Sequence, residues 1–385
     1  MGASVQGEGY QLKYLSVFSG IGGLEASDPP VLFCELDEDA TRVLNTVYPS
    51  IEICPDIHEL VDPPNVDVVA GGWPCQDISI AGQQAGVAGL QSKLLIEMLR
   101  VANEAKAHTV VAENVPNLLR LRSGHEFKAS LDAFHGTGFP FVAWRTLNAR
   151  EFGLPQNRSR ILMVASKDKD IALTLFRALP EPSKDAIDPS LTKMAAGFYW
   201  TAGTHAINYS KGYVPTIKVG SSLDIPSPPA VHYGDVVRKL TAAEALKLQG
   251  FDLEVDLFGS PANAYKAAGN AVAKPIGTWV MDGLAEVGTV PEWRPLQEDL
   301  FPDSDPIPLG GYPIVGMSID GDVREPTNLP RGRVATNLHS FLDHSCTERL
   351  SPKASSGLLR RLDRSGHACP PELRCILEKL ESPGE

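Results

Sequence analysis

The sequence predicts an α/β fold in which a parallel β-sheet is followed by a smaller, irregular region. Short β-branched runs alternate with helical patterns from Tyr14 to Ala165, and this alternation is typical of βαβ units. From about Ser166 to Val237 the pattern breaks, because prolines separate short strand-like pieces such as the run from Val214 to Val219. A regular first part and an irregular second part are therefore expected.

Several strand-like runs and one clear helix define the regular part. The helix is predicted from 94 to 105, where Leu95, Leu99 and Ala102 recur at helical spacing. The strand-like runs are Tyr14 to Val17, Val31 to Cys34, Ile51 to Cys54, Val66 to Val69, Thr109 to Ala112 and Ile161 to Ala165. Ligands of parallel sheets bind beyond the carboxyl ends of the strands. Residues at these ends are expected to line one pocket: Phe18, Glu35, Asp56, Cys75 and Glu113.

Cys75 lies in a Gly/Pro-rich loop, in the segment from Ala70 to Ser79. A loop of this kind presents a thiol to a ligand, and the thiolate is the reactive form. Arg158 and Arg160 offer positive charge that would favour a thiolate. A buried, unreactive cysteine is the alternative, and Cys75 taken by itself would favour it.

The companions of Cys75 occur in a specific order along the chain. They are Phe18-Ser19-Gly20-Ile21-Gly22-Gly23, Glu35, Asp56-Ile57, Glu113-Asn114-Val115, Gln156-Asn157-Arg158-Ser159-Arg160 and Gly269-Asn270-Ala271-Val272. Together these segments resemble the ordered motifs of the DNA (cytosine-5)-methyltransferase family, and the resemblance extends from Leu12 to Asp282. It implies a Rossmann-like S-adenosylmethionine-dependent methyltransferase sheet with a smaller, irregular target-recognition domain.

The resemblance implies four catalytic residues. Cys75 would add to C6 of a cytosine, which splits a difficult methylation at C5 into two easier steps. Glu113, kept protonated by burial, would donate to N3 and contact the exocyclic amine. Arg158 and Arg160 would hold the base carbonyl and the adjacent phosphate. Because the target base must leave the duplex, the loop from Gln76 to Leu90 would close over it.

The methyl donor that the resemblance implies is S-adenosylmethionine. The glycines would let the backbone approach its methionine portion, whereas Glu35 suits the ribose hydroxyls and Asp56 the adenine amine. Leu36 stands where many relatives place a larger residue on the adenine. Relatives also carry a full helix after Gly23, where this chain is shorter, and we expect the shortening to affect cofactor affinity more than the fold. The expected cofactor-binding residues are Phe18, Gly20, Gly22, Gly23, Glu35, Leu36, Asp56, Ile57, Pro74 and Asn270.

The net charge of −12 argues against a nucleic-acid partner, since Lys and Arg contacts to phosphates normally dominate such affinity. Local basic clusters nevertheless occur at Arg120 to Arg122, Arg158 to Arg160 and Arg238-Lys239. We therefore predict that duplex DNA binds to a basic cleft on an acidic protein. Its affinity should fall steeply with salt concentration.

Composition favours a cytoplasmic protein, which we expect to be a monomer. No run approaches the roughly 20 apolar residues that cross a bilayer, and the first residues lack a basic region followed by an apolar core. The six cysteines are scattered and form no disulfide framework. A prokaryotic or phage modification enzyme, as in a restriction-modification system, is the expected setting, because no large regulatory domain precedes the motifs.

Three regions are expected: a catalytic, cofactor-binding domain at 12–166 plus 262–285, a target-recognition domain at 167–261, and an extension of unknown role at 286–385. Thr241 is predicted to be a helix N-cap, with Glu244 completing a capping box. The extension predicts a poorly packed connector and two short amphipathic helices, at 356–362 and 372–381. Its His and Cys residues suit zinc, but no Cys-x-x-Cys pair is present, so no metal site is expected.

Three alternatives are kept open. A tRNA cytosine-5 methyltransferase of the same superfamily would share Cys75 and Glu113, but those relatives usually carry a Cys-Phe-Thr tripeptide that this chain lacks. A non-catalytic DNA-binding relative would normally have lost Cys75, Glu113 or the arginines. A nicotinamide-dependent oxidoreductase could use the same glycines and Glu35, but it would leave Cys75 and Glu113 unexplained.

Overall fold

The computed structural model describes residues 11–74, 88–180, 195–201, 207–219, 228–286, 315–319, 322–324 and 337–381. The chain divides into two compact units. The first unit comprises Met1–Leu147, Ser159–Leu179 and Val272–Arg331, and the second comprises Asn148–Arg158, Pro180–Ala271 and Gly332–Glu385. Each unit is therefore assembled from three separate stretches of chain.

The described residues form strands β1 (Tyr14–Val17), β2 (Leu32–Cys34), β3 (Ile53–Cys54), β4 (Val68–Gly72), β5 (Thr109–Asn114), β6 (Phe141–Asn148), β7 (Gln156–Asn157), β8 (Ser159–Ser166), β9 (Ala195–Phe198), β10 (Ser210–Lys211), β11 (Val214–Pro215), β12 (Ala230–Tyr233), β13 (Val236–Lys239), β14 (Val315–Ile319) and β15 (Asp322–Arg324). The helices are α1 (Glu38–Val47), α2 (Ala88–Glu104), α3 (His125–Gly136), α4 (Lys169–Leu173), α5 (Ala242–Lys247), α6 (Pro261–Asn270), α7 (Lys274–Glu286), α8 (Pro352–Ser365) and α9 (Pro371–Glu381). None of these helices combines the length and the apolar character that crossing a membrane requires.

The first unit is built on a sheet with the strand order β15-β14-β6-β8-β5-β4-β1-β2-β3. Strands β3, β2, β1, β4 and β5 run parallel, with Leu15 of β1 beside Leu32 of β2 on one side and Val69 of β4 on the other. All residues of β1 and β5 are buried, as expected for central strands covered on both faces. The predicted α/β class is confirmed.

The sheet is mixed, because antiparallel strands extend its parallel part. Strand β8 runs antiparallel to β5, β14 runs antiparallel to β6, and β15 continues from β14 as a hairpin partner. The hairpin lies in the extension of unknown role, after the segments 290–293, 303–306 and 308–311 on which the expected connector was based; those segments lie outside the described residues. Its pairing with β6 depends on backbone hydrogen bonds to residues about 170 positions earlier, which no local pattern records.

Helices α2 and α3 cover one face of the sheet. Helix α2 contains the predicted helix from 94 to 105 except for its last residue, and its Leu99 is fully buried in the same core as Val110 of β5. Phe127 of α3 meets Trp144 of β6 edge to face, with ring centroids 5.0 Å apart. The segment from Leu24 to Pro30 forms no helix.

The second unit contains an antiparallel sheet with the order β10-β9-β12-β13 and a short pair of strands, β7 and β11. The two amphipathic helices predicted near the C-terminus are present as α8 and α9. Their apolar faces share one core with this sheet. Its buried members are Phe198, Ile207, Ala230, Val237, Leu350, Leu358, Leu359, Leu362, Leu373, Ile376 and Leu377.

The second unit contains a buried ion pair. Thr241 caps α5 and Glu244 completes the capping box, which confirms the prediction. The Glu244 carboxylate also pairs with Arg238 at 2.6 Å and accepts a 2.6 Å hydrogen bond from the Asp343 backbone N–H. Arg238 is fully buried, so the expectation that it contributes to a DNA-facing basic cluster is wrong. Lys239 beside it is exposed.

Candidate active site

The parallel strands place four of the predicted residues at one edge of the sheet. Phe18 directly follows β1, Glu35 directly follows β2, Asp56 lies two residues after β3, and Glu113 is the penultimate residue of β5. Because these strands run parallel, their carboxyl ends meet at the same edge. That edge is the usual ligand-binding position of such sheets.

The turn after β1 has an unusual backbone. Phe18 has a φ of 52°, Gly20 of 56° and Gly22 of 86°, which lie in the left-handed region. A non-glycine residue held there costs about 1–3 kcal/mol, and such strain is concentrated at functional sites. Hydrogen bonds fix the turn, from the Ser19 N–H to Cys34 O (3.3 Å) and from the Gly22 N–H to Ser19 O (3.0 Å).

Gly23 is required by packing inside the protein. A Cβ atom there would lie 2.4 Å from Val272 O, and one at Gly277 of α7 would lie 2.1 Å from Gly23 O. The start of α7 therefore packs directly against the backbone of the turn. This contact explains why Gly23 must be glycine without reference to a ligand.

Glu35 and Leu36 face the same edge from β2. One Glu35 oxygen accepts from the Gly20 N–H at 2.6 Å and the other from the Asp37 N–H at 2.7 Å. Burial raises the pKa of the Glu35 carboxyl, while these two hydrogen bonds oppose the rise. Leu36 is 73% exposed, an unusual state for a large apolar side chain. A planar apolar ligand group could cover it.

Asp56 and Ile57 form the next part of the edge. Asp56 Oδ1 accepts from the His58 N–H at 2.9 Å, which fixes the carboxylate in a local turn. Ile57 is buried in the main core, and its carbonyl accepts from Arg100 Nη2 of α2 at 2.7 Å. Helix α2 therefore holds the loop that carries Asp56.

The Glu113 carboxylate is held in a fixed position beside β4. Glu113 is 8% exposed, and its Oε1 lies 2.9 Å from Arg160 Nε of β8. It stands beside Gly72, where a Cβ atom would lie only 2.7 Å from Glu113 Oε2. The glycine thus makes room for the carboxylate, and Arg160 orients it.

Cys75 lies outside the described residues, as does most of the loop from Gln76 to Leu90, but the chain that leads to it is described. Pro74 is half-buried and Trp73 is buried. The Trp73 carbonyl accepts from Asn114 Nδ2 at 3.3 Å, so the end of β5 holds the chain two residues before Cys75. Asn114 is 3% exposed, which fits this positioning contact.

Arg158 and Asn270 belong to the second unit. Arg158 is 1% exposed and donates to three main-chain carbonyls: Ile217 at 3.1 Å, Gly269 at 3.0 Å and Ala271 at 2.6 Å. These contacts favour a structural role for Arg158 over the base contact that we expected. Asn270 ends α6 and is exposed.

The sequence of the chain matches a family of known proteins. The family model described as C-5 cytosine-specific DNA methylase matches residues 12–211, more than half of the chain. The chain belongs to this family. Its members transfer a methyl group to cytosine in DNA, so the protein is a DNA (cytosine-5-)-methyltransferase.

Individual relatives agree with the family. The chain is 32% identical over 379 residues to the type II methyltransferase M2.BsuMI of Bacillus subtilis (strain 168), covering 92% of this chain and 94% of that protein. It is 27% identical to the type II methyltransferase M.Bsp6I of Bacillus sp. (strain RFL6), covering 69% of this chain and 96% of that protein. The crystal structure of the S. pombe Dnmt2 methyltransferase has the same fold, with a TM-score of 0.50 at 14% identity, covering 72% of this chain and 99% of that one.

Two residues of the methyltransferase site escaped the sequence analysis. Gly72 was assigned only to the Gly/Pro-rich loop around Cys75, whereas it ends β4 beside the buried Glu113 carboxyl, a position that becomes visible once the strand register is known. Asn114 was noted within the Glu113-Asn114-Val115 motif without a role. Both act on their neighbours rather than on a ligand, so their functions depend on which strands pair.

Gly72→Ala tests the positioning of Glu113. We expect kcat to fall by about 10- to 100-fold, because a displacement of about 1 Å at a catalytic group can cost that much. The added methyl group would push the carboxylate away from Arg160, while thermal stability should change little. The matched control is Gly136→Ala at the end of α3, where an added Cβ meets no atom within 4 Å. Methylation rates and melting temperatures of both variants decide the question, and a wild-type kcat for Gly72→Ala would contradict this role.

Proposed function

We propose that the protein transfers a methyl group from S-adenosylmethionine to C5 of a cytosine rotated out of duplex DNA, through a bond between Cys75 Sγ and C6 of the base. The observation that supports this proposal most strongly is the ion pair between Glu113 and Arg160. The pair lies beside Gly72, at the edge of the sheet from which the chain continues to Cys75. A buried, oriented carboxyl group beside Gly72, which lies three residues before a loop cysteine, suits covalent activation of a pyrimidine ring.

The residues divide the reaction as follows. The Cys75 thiolate adds to C6, and Glu113 supplies a proton to N3, so the ring does not have to carry the full negative charge. C5 then becomes nucleophilic and takes the methyl group. Loss of the C5 proton to a base, departure of the thiolate from C6 and return of the N3 proton to Glu113 restore the aromatic ring. Each part of this sequence lowers one barrier that a single-step methylation would face.

Glu113 must gain its proton when the base enters. In the protein alone, Arg160 Nε holds the Glu113 carboxyl group at 2.9 Å. We infer that a bound cytosine ring excludes water and shifts the balance toward the protonated form, with Arg160 turning toward the base or its phosphate. Arg160 would thus hold Glu113 in place before binding and contact the substrate afterwards.

The strand edge fits S-adenosylmethionine as the methyl donor. Two backbone N–H groups hold the Glu35 carboxylate at the end of β2, in a position suited to ribose hydroxyls. The exposed side chain of Leu36 offers an apolar surface for adenine, and Asp56 offers a carboxylate for its amine. The left-handed turn at Gly20 and Gly22 suits close approach of the methionine portion. Pro74 and Asn270 stay predictions that rest on the family resemblance.

We further propose that the second unit is the target-recognition unit and that it includes the C-terminal segment from 337 to 381. This differs from the expected division, which ended the recognition domain at 261. The support is the shared core, to which strands β9, β12 and β13 contribute together with α8 and α9. Arg158 would act here by fixing the chain around Ile217, Gly269 and Ala271.

The setting that we propose is a prokaryotic restriction-modification system in the cytoplasm, where the protein acts as a monomer on duplex DNA. Two relatives from Bacillus species, both named type II methyltransferases, support this setting. The resemblance to a Dnmt2 structure shows the fold alone.

Product analysis tests the function. The protein is incubated with methyl-labelled S-adenosylmethionine and either mixed-sequence duplex DNA or tRNA, and the nucleosides are separated after digestion. We expect labelled 5-methyl-2′-deoxycytidine from duplex DNA and none from tRNA. Label in ribonucleosides would move the substrate to RNA, and label in N4-methylcytosine or N6-methyladenine would overturn the proposed chemistry.

A further inference from the structure

Glu25, two residues after the glycine turn, has a buried carboxyl group that the proposed reaction does not use. It is 1% exposed. Its Oε1 accepts a 2.7 Å hydrogen bond from Ser16 Oγ of β1, whereas Oε2 has no hydrogen-bond partner among the described residues. A buried polar oxygen without a partner is costly, and natural proteins rarely keep one without a function.

The unpartnered oxygen of Glu25 lies close to the glycine turn. A Cβ atom at Gly22 would lie 3.4 Å from Glu25 Oε2. A second contact fixes the Glu25 backbone, because Thr278 Oγ1 of α7 donates to the Glu25 carbonyl at 3.2 Å. The Glu25 carboxyl therefore lies next to the backbone of the turn that, in the proposed function, binds the methionine portion of the cofactor.

The groups that face Glu25 come from three elements: Tyr14 of β1, Tyr48 at the end of α1 and Lys274 at the start of α7. Burial raises the pKa of Glu25 to about 7, while the Ser16 hydrogen bond and the Lys274 charge act in the opposite direction. Burial and repulsion from Glu25 raise the pKa of Tyr14 and of Tyr48, so both phenols stay neutral. The carboxyl of Glu25 therefore changes its charge close to neutral pH.

We propose that Glu25 makes the cofactor site prefer the positively charged methyl donor over the uncharged product. The inference rests on the proposed function, since it takes S-adenosylmethionine as the ligand. The donor carries a sulfonium, an ammonium and a carboxylate group, and thus a net positive charge. S-adenosylhomocysteine has a thioether in place of the sulfonium and no net charge. An ionised Glu25 carboxylate attracts the additional positive charge of the sulfonium, which the product lacks, and we expect an effect of about tenfold on the affinity for the donor.

Calorimetric titration of the full-length protein with each of the two compounds tests this proposal. The measurements are made at about pH 5.5 and about pH 7.5; the ligand α-amino group, with a pKa of about 7.7–8.0, begins to titrate at the higher pH, but it does so in both compounds. We expect the donor to bind about five- to tenfold more tightly at the higher pH, where Glu25 is ionised. The affinity for S-adenosylhomocysteine should differ by less than about twofold between the two pH values.

Glu25→Gln keeps the size of the side chain and an acceptor for Ser16, and it removes the charge. We expect this variant to lose the pH dependence of donor binding, so that its preference for the donor over the product no longer rises with pH. The matched control is Asp28→Asn, an exposed carboxylate three residues further on, which should behave as wild type. Equal pH dependence for donor and product, or unchanged dependence in Glu25→Gln, would overturn the proposal. Absence of binding of either compound at both pH values would instead overturn the proposed cofactor.

A folding measurement checks the buried carboxyl independently of any ligand. Because the pKa of Glu25 is raised on folding, protonation favours the folded state, and this contribution is lost as the pH rises from about 4.5 to about 7. Glu25→Gln should therefore melt at a higher temperature than wild type at about pH 7.5 and lack this part of the pH dependence. Wild-type melting behaviour in the variant would contradict a buried, titrating carboxyl.

Discussion

Cys75→Ser is expected to abolish methyl transfer and the covalent trap that accompanies it. Removing a catalytic nucleophile typically costs about 10⁴-fold or more in kcat. Serine is a far weaker nucleophile than a thiolate at neutral pH, so addition to C6 should cease. Rate measurements with methyl-labelled S-adenosylmethionine and duplex DNA would show the loss directly.

The trap uses duplex DNA that contains 5-fluorocytosine. After methyl transfer, a fluorine at C5 cannot leave as a proton does, so the protein stays bonded to C6. We expect wild type to give a denaturation-resistant adduct only when S-adenosylmethionine is present. Cys75→Ser should give none, whereas Cys375→Ser, which changes an exposed thiol of α9, should give the wild-type amount. An adduct formed by Cys75→Ser would exclude Cys75 as the nucleophile.

Deletion of residues 337–385 is expected to unfold the second unit. Seven apolar side chains of this segment are buried in the core shared with β9, β12 and β13. Each contributes about 1.5–3 kcal/mol of burial, so their joint removal approaches or exceeds the roughly 5–15 kcal/mol by which a whole domain is stable. The deletion also removes the Asp343 N–H that donates to the buried Glu244 carboxylate. Thermal unfolding followed by circular dichroism should show the loss, together with loss of DNA binding.

Two milder changes serve as comparisons for this deletion. Removal of residues 382–385 alone keeps all seven of these buried side chains and should leave both melting temperature and DNA binding unchanged. Leu358→Ala in α8 creates a cavity at a fully buried position and should cost about 2–5 kcal/mol. If the protein lacking 337–385 kept the wild-type melting temperature and DNA affinity, the C-terminal segment would not be part of the recognition unit.

Much of the first unit could be predicted because its signals are local. The run from Tyr14 to Val17 is the observed strand β1, since three apolar or β-forming residues out of four before a glycine-rich turn leave few other conformations. The capping box of Thr241 and Glu244 was predictable for the same reason, because both partners lie within one helical turn. The family motifs are equally local, so the function followed from their order.

Arg158 and Arg238 show what the sequence did not determine. Both were assigned to basic clusters facing DNA, and both are buried. The Arg158 guanidinium binds carbonyls 59, 111 and 113 residues away in the chain. Arg238 and Glu244 lie six residues apart, but the Glu244 carboxylate also accepts a hydrogen bond from the backbone N–H of Asp343, 99 residues further along the chain. A charge in a sequence carries no information about such distant partners, and those partners decide whether it faces solvent or the core.

The sequence by itself determined the class of fold, the family and the order of the site residues, because hydrophobic periodicity and turn chemistry act over a few neighbouring positions. Only the tertiary structure decided that Gly72 makes room for Glu113, that Gly23 is required by α7, and that α8 and α9 complete the core of the second unit. These facts arise from contacts between segments that are far apart in the chain. Their energy depends on strand register and on which surfaces meet, and neither is written in any single stretch of sequence.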